Sequence, residues 1–222
     1  MTKKCGLLAM VLLLTLCTGC SKGYVQKDGK WFYRNWNESW AVYYEELNGV
    51  DSATFVIRKD GLGSDKNVIW YEATRITVDL ATFKYIGGPF YTDKHHVFYR
   101  GAGFRVVKAA EPKSWRSQDR TKTPPVDPGS FQYLRGEYGK DMNSVFFQWE
   151  SIPKADVLTF TPTSDWYATD KNNVWYRDLL ISEPRVFPKK TIRSVDIYSF
   201  KDLQKGKALD KYGAIEFGGP VD

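Results

Sequence analysis

Five segments of the chain share one frame: Asp, two variable residues, Ser or Thr, Phe, nine further residues and a second Asp. They are Asp51/Thr54/Phe55/Asp65, Asp79/Thr82/Phe83/Asp93, Asp127/Ser130/Phe131/Asp141, Asp156/Thr159/Phe160/Asp170 and Asp196/Ser199/Phe200/Asp210. The two aspartates stand 14 residues apart in every copy. A fixed internal ruler of this kind means that one supersecondary unit is built repeatedly, each copy burying its apolar face against a neighbour.

The chemistry inside the unit predicts a hairpin. Three places before the second Asp stands an apolar or aromatic residue in four copies: Leu62, Phe90, Tyr138 and Tyr167. Polar stretches such as "DKNN" and "DKHH" follow, and then an apolar run: Val68-Ile69-Trp70-Tyr71, Val97-Phe98-Tyr99, Val145-Phe146-Phe147 and Val174-Trp175-Tyr176. Asp and Asn bond their own backbone two residues on, which suits a tight link between antiparallel strands. The aromatic rows on either side are then expected to face one another across the pair. The Asp-x-x-Ser/Thr-Phe segment reads as a turn, or a single helical turn, that pins one Phe into the core. Five equivalent aspartates, Asp65, Asp93, Asp141, Asp170 and Asp210, are therefore read as turn builders. A half-copy opens the array at Trp31-Phe32-Tyr33-Arg34, and the last copy ends in "DKYGAIEF", with its apolar residues shifted by one.

Successive copies lie 28, 48, 29 and 40 residues apart. The bare unit has room for two strands of ordinary length. The excess falls in two insertions, near 101–129 and 178–195. The expected fold is all-β: an array of β-hairpins forming a curved antiparallel sheet or a sandwich, with a propeller-like arrangement as the alternative. No segment beyond the N-terminus has convincing helical periodicity.

The chain opens "MTKKCGLLAMVLLLTLCTGCSKG". Lys3 and Lys4 precede an apolar run of 12 residues, Gly6 to Cys17, too short to span a bilayer and right for the helical core of a signal peptide. Thr18-Gly19-Cys20 resembles the lipobox of bacterial lipoproteins, with Cys17 where leucine is more usual. The resemblance implies a cleaved signal at 1–19, lipid attachment at Cys20, a tether over 20–26 and a single repeat domain at 27–222. Cys5 and Cys17 leave with the signal, so the mature domain has no thiol for a disulfide or a zinc site.

The formal charge is +6, and leaving out Lys3 and Lys4 makes it +4. That excess is not gathered into a basic stripe, so nucleic acid is not the expected partner. The only histidines, His95 and His96, are adjacent in a turn where sister copies hold Asn or Val. No nucleophile elbow, phosphate loop or zinc-protease motif is present. No cofactor, metal site or catalytic residue is assigned, and the lysine in the "DKNN" tag places a positive charge beside any cation.

The tags "SDKNVIWY", "TDKHHVFYR" and "TDKNNVWYR" resemble those of the DKNYY family of bacterial repeat proteins. "KDMNSVFF" departs from the tag by losing its lysine, and His95 replaces an asparagine. The resemblance implies an exported or membrane-associated protein and says little of activity. Proteins of this kind also resemble some encoded beside secreted antibacterial toxins, where small periplasmic lipoproteins act as immunity factors. The expected function is accordingly non-enzymatic: a lipid-anchored protein-binding module, most specifically an immunity-type inhibitor of such a toxin. An envelope structural or carbohydrate-binding lipoprotein is the alternative. Ser21 after the lipid cysteine points to the outer membrane, facing the periplasm. Contact residues are expected outside the repeat frame: Trp36 and Trp40 near the N-terminus, and Trp115 with Lys113, Arg116 and Arg120 in the first insertion.

Overall fold

The computed structural model describes residues 22–39, 41–101, 103–108, 125–186 and 192–221. Among these no residue is helical, and the strands form small antiparallel sheets, each ordered as in the sequence. The chain divides into two compact units, Met1–Arg75 and Ile76–Asp222.

In the first unit β1 (Gly23–Lys27), β2 (Lys30–Asn37) and β3 (Ala41–Glu46) make a three-stranded sheet. Strand formation thus begins inside the segment expected to be a tether. The first copy supplies β4 (Val56–Ile57), β5 (Gly63–Ser64), β6 (Ile69–Tyr71) and β7 (Thr74–Ile76). Tyr24, Leu47, Phe55 and Trp70 are buried together between the two sheets. The Tyr24 hydroxyl donates to the Trp70 carbonyl at 2.8 Å, so burial of its ring leaves no polar atom stranded.

In the second unit each further copy builds a sheet of its own. The second copy has β8 (Lys84–Gly87), β9 (Phe90–Thr92), β10 (Val97–Arg100) and β11 (Phe104–Val106). The third has β12 (Gln132–Arg135), β13 (Tyr138–Lys140), β14 (Val145–Phe147) and β15 (Glu150–Ser151). The fourth has β16 (Thr161–Pro162), β17 (Tyr167–Thr169), β18 (Val174–Tyr176) and β19 (Leu179–Leu180). A two-stranded addition, β20 (Arg185–Val186) with β21 (Ile192–Arg193), lies within the second insertion. The fifth copy closes with β22 (Lys201–Gln204), β23 (Lys207–Asp210), β24 (Gly213–Glu216) and β25 (Gly219–Pro220).

The repeat unit therefore holds four strands where two were expected. The extra pair fits because most strands are only two to four residues long, well under the usual five or six. Short strands cannot stand alone, and the second unit solves this by sharing cores between consecutive copies. Phe90, Val97 and Tyr99 are buried with Phe131 and Phe146. Tyr138, Val145 and Phe147 are buried with Phe160, Ala168 and Trp175. Tyr167, Val174 and Ile181 are buried with Val195, Ala208 and Ile215. Hydroxyls stitch the same steps: Tyr138 donates to the Arg177 carbonyl at 3.1 Å, and Tyr167 donates to the Gly206 carbonyl at 2.8 Å.

The expected hairpin pairing is present. Phe90 is paired with Tyr99, Tyr138 with Phe147 and Tyr167 with Tyr176. Their ring centroids lie 5.6, 5.0 and 5.4 Å apart, within the range where aromatic pairs add to plain burial. The residues three before the second Asp, Leu62, Phe90, Tyr138 and Tyr167, are all fully buried. The pinned phenylalanines Phe55, Phe131 and Phe160 are buried too, whereas Phe83 and Phe200 are only half-buried.

Candidate functional site

The aspartate frame closes into a clasp that recurs in all five copies. One carboxylate oxygen (Oδ2) of the second Asp accepts the backbone N–H of the first. The distances are 3.1 Å for Asp51 to Asp65, 2.8 Å for Asp79 to Asp93 and for Asp127 to Asp141, 2.7 Å for Asp156 to Asp170 and 3.0 Å for Asp196 to Asp210. Its other oxygen (Oδ1) accepts N–H groups two and three residues ahead: Asn67 and Val68, His95 and His96, Asn143 and Ser144, Asn172 and Asn173, all at 2.7–3.0 Å. In the fifth copy Tyr212 donates to Asp210 at 2.9 Å. The Ser or Thr hydroxyl oxygen accepts the N–H that follows the second Asp, at 2.9–3.1 Å throughout. The 14-residue ruler is thus the chain length between one backbone donor and the carboxylate that satisfies it.

The tag lysine completes the clasp from outside. Lys66, Lys94, Lys171 and Lys211 reach back to Asp51, Asp79, Asp156 and Asp196 at 2.7–2.8 Å. In the third copy Met142 stands in the lysine slot, and Ser130 Oγ donates to Asp127 at 2.6 Å. The lysine lowers Asp51, Asp79, Asp196 and Asp156, the last to about 2, with the Thr or Ser hydroxyl helping; in Asp127 the Ser130 hydroxyl leads. Burial pushes Asp65 and Asp93 up, but the backbone N–H groups they accept outweigh it and leave both below the ordinary value.

Depressed carboxyls contribute stability that is complete above their unfolded pKa and lost as pH falls through the folded one. The thermal midpoint should therefore hold from neutrality down to about pH 5 and then fall steeply toward pH 2, the range set by the ordinary carboxyl value of about 3.8 and the lowered one near 2. Melting curves across that range check it; a flat midpoint from pH 5 to pH 2 would contradict the clasp.

A carboxylate this fully engaged is a structural acceptor and not a base poised for chemistry. His95 and His96 serve the second clasp through their backbone N–H groups, and the His96 Nδ1 lies 3.6 Å from Asp93. Among the described residues no group of three or more His, Cys, Asp or Glu side chains is arranged to hold a metal ion.

The surface carries what the clasps do not. Of the residues expected to make contacts, Cys20, Trp40, Lys113, Trp115, Arg116 and Arg120 lie outside the described residues. Trp36 is 40% exposed on β2, paired with Val42 on β3 and separate from the repeat core. Four further apolar side chains stand exposed at the clasps. Leu158 is 90% and Tyr198 93% exposed, each two residues after the first Asp of its copy. The same slot holds Ala53, Ala81 and Gly129 in the earlier copies. Met142 and Tyr212, just after the second Asp of copies three and five, are also exposed. Leu158 and Tyr198 thus stand where the first two copies have alanine, Met142 where they have lysine, and Tyr212 where they have Asn67 and His95. Aligning the copies by slot, and not only by frame, would have revealed the change.

The DKNYY family model matches residues 118–179, a stretch that takes in the third and fourth clasps whole. No curated protein and no solved structure matches the chain.

Proposed function

We propose that this chain, which the DKNYY family model matches over residues 118–179, is a non-enzymatic protein-binding module held at a bacterial envelope by lipid on Cys20. The reading is carried by one observation: Leu158 and Tyr198 are almost wholly exposed at the same slot of consecutive copies. Their backbone is fixed by the clasps, Thr159 donating to Asp156 and Ser199 to Asp196 through both backbone and hydroxyl. Large apolar side chains exposed to water cost solubility, and where they gather they mark contact surfaces. A backbone already ordered by the clasp also leaves less ordering to be done on binding. The most specific form of the reading is an immunity-type inhibitor of a secreted toxin, facing the periplasm from the outer membrane. The first insertion, with Trp115 and Arg116, supplies further contacts.

Purified protein and a Leu158→Glu/Tyr198→Glu variant should melt alike, because neither side chain is packed. In pull-downs from envelope extract the variant should lose the partner by about thirtyfold, the scale of a hot-spot pair. Equal recovery by both would remove this surface from the interface. Binding to envelope glycans with no protein recovered would favour the carbohydrate-binding alternative.

A further inference from the structure

Among the described residues, one side of the N-terminal sheet packs into a core and the other is partly to well exposed. Side chains alternate along a strand, and Tyr24, Trp31 and Tyr33 all point into the core shared with Phe55 and Trp70. The opposite face carries Phe32, Trp36 and Tyr44 together with Lys27, Lys30 and Arg34, in register across the strands: Lys27 beside Lys30, Arg34 beside Tyr44, Trp36 beside Val42. Tyr44 is 42% exposed, and the Lys27 ammonium sits 3.3 Å from the centre of its ring. The one acid in the register of this face, Glu46, is paired with Lys30 at 2.9 Å; Asp28 and Glu38 lie in the turns at the sheet's two ends. The face therefore combines aromatic rings with a net excess of cations.

We propose that this face of β1–β3 rests on an anionic phospholipid surface. The proposal builds on lipidation at Cys20, and chain length supplies half the argument. Gly23, where β1 begins, is the third residue after Cys20, and three residues reach at most about 10 Å. A lipid anchor at Cys20 places that cysteine at the headgroups, so β1 starts within about 10 Å of them. Charge and amphipathicity supply the other half. Trp and Tyr rings favour the headgroup level, and Lys and Arg are drawn to the negative surface of anionic lipids. Trp36 then serves the membrane, while the clasp turns of the later copies serve the protein partner.

The test uses the full-length, membrane-inserted protein with single cysteines introduced as Trp36→Cys, Tyr44→Cys and Glu45→Cys, probed with a membrane-impermeant maleimide. Glu45 is exposed on the other side of β3, so its variant is the internal control. In membranes the Trp36→Cys and Tyr44→Cys proteins should label at least about tenfold more slowly than the Glu45→Cys protein. All three should label equally fast once detergent replaces the lipid. A Lys27→Glu change in the Trp36→Cys protein should speed its labelling by about fivefold, the effect of one basic side chain near an anionic surface. Equal labelling in membranes would overturn the proposal while leaving the anchor intact. Protection that persists in detergent would overturn it in favour of a second copy on this face. The parent protein reports on the anchor separately, because an unlipidated Cys20 takes up label under denaturing conditions. A labelled parent in the soluble fraction would overturn both readings; a labelled parent still protecting positions 36 and 44 at the membrane would overturn the anchor alone.

Discussion

Asp170→Ala should lower the thermal midpoint by about 10 °C or more, one of the largest effects expected of a single change in this chain. The alanine leaves three backbone donors, on Asp156, Asn172 and Asn173, without the carboxylate they now share at 2.7–2.8 Å. Each buried donor left unmade costs about 1–3 kcal/mol, and water reaching the outer two lowers the sum to about 3–5 kcal/mol. For a chain of this size each kcal/mol moves the midpoint by about 2–4 °C. Asp170→Asn should recover about half of the loss, since one oxygen remains while the amide NH2 opposes an N–H donor. Lys171→Met is the contrasting change. Its ion pair with Asp156 is exposed, such pairs are worth less than about 1 kcal/mol, and the third copy already carries Met142 in that slot. Thermal melts of the three variants decide the matter. An Asp170→Ala midpoint within about 2 °C of the parent, the shift expected of well under one lost hydrogen bond, would mean that the recurring aspartate is not what holds the turn.

How far the sequence disclosed this architecture depends on which interactions leave a mark in residue spacing. The clasp does, because a carboxylate and the N–H it satisfies must keep a constant chain separation, and Asp65, Asp93, Asp141, Asp170 and Asp210 all do. Its mechanism was less legible. The tag lysine looked like a charge set against a cation at the second Asp, whereas it pairs with the first Asp, 15 residues earlier in the chain. Strand number was misjudged for a related reason. Strands of two or three residues such as Glu150–Ser151 are too short for an alternating pattern to register, and their existence depends on the cores that consecutive sheets of the second unit share. The exposed Leu158 and Tyr198 break no rule of hairpin chemistry, so they do not stand out as deviations from the frame. Periodicity identifies what every copy needs and is silent on the slots the frame leaves free.

One such slot governs the core itself, two residues before the second Asp. It holds Gly63, Gly139, Ala168 and Ala208, but Tyr91 in the second copy. A β-carbon at Gly139 would lie 2.5 Å from the ring of Phe131, and one at Gly63 would lie 2.6 Å from that of Phe55. In these copies, and in the fourth with Ala168, a small residue goes with a buried Phe; Phe200 opposite Ala208 is only half-buried, so a small slot is needed for burial and does not alone secure it. Where Tyr91 fills the slot, Phe83 is only half-buried and instead stacks on the tyrosine, centroids 5.6 Å apart and planes 4° from parallel. Gly139→Tyr should therefore expel Phe131 from its place between Phe90 and Phe146 and cost about 3–5 kcal/mol, the scale of losing a buried phenylalanine. Steric exclusion of one side chain by another predicts strong non-additivity. Phe131→Ala alone should cost a similar amount, yet add less than about 1 kcal/mol when introduced into the Gly139→Tyr protein. Denaturant melts of the two single variants and the double variant measure the coupling directly. Additive costs would show that Phe131 keeps its seat beside a tyrosine, and that the half-buried state of Phe83 has a cause other than Tyr91.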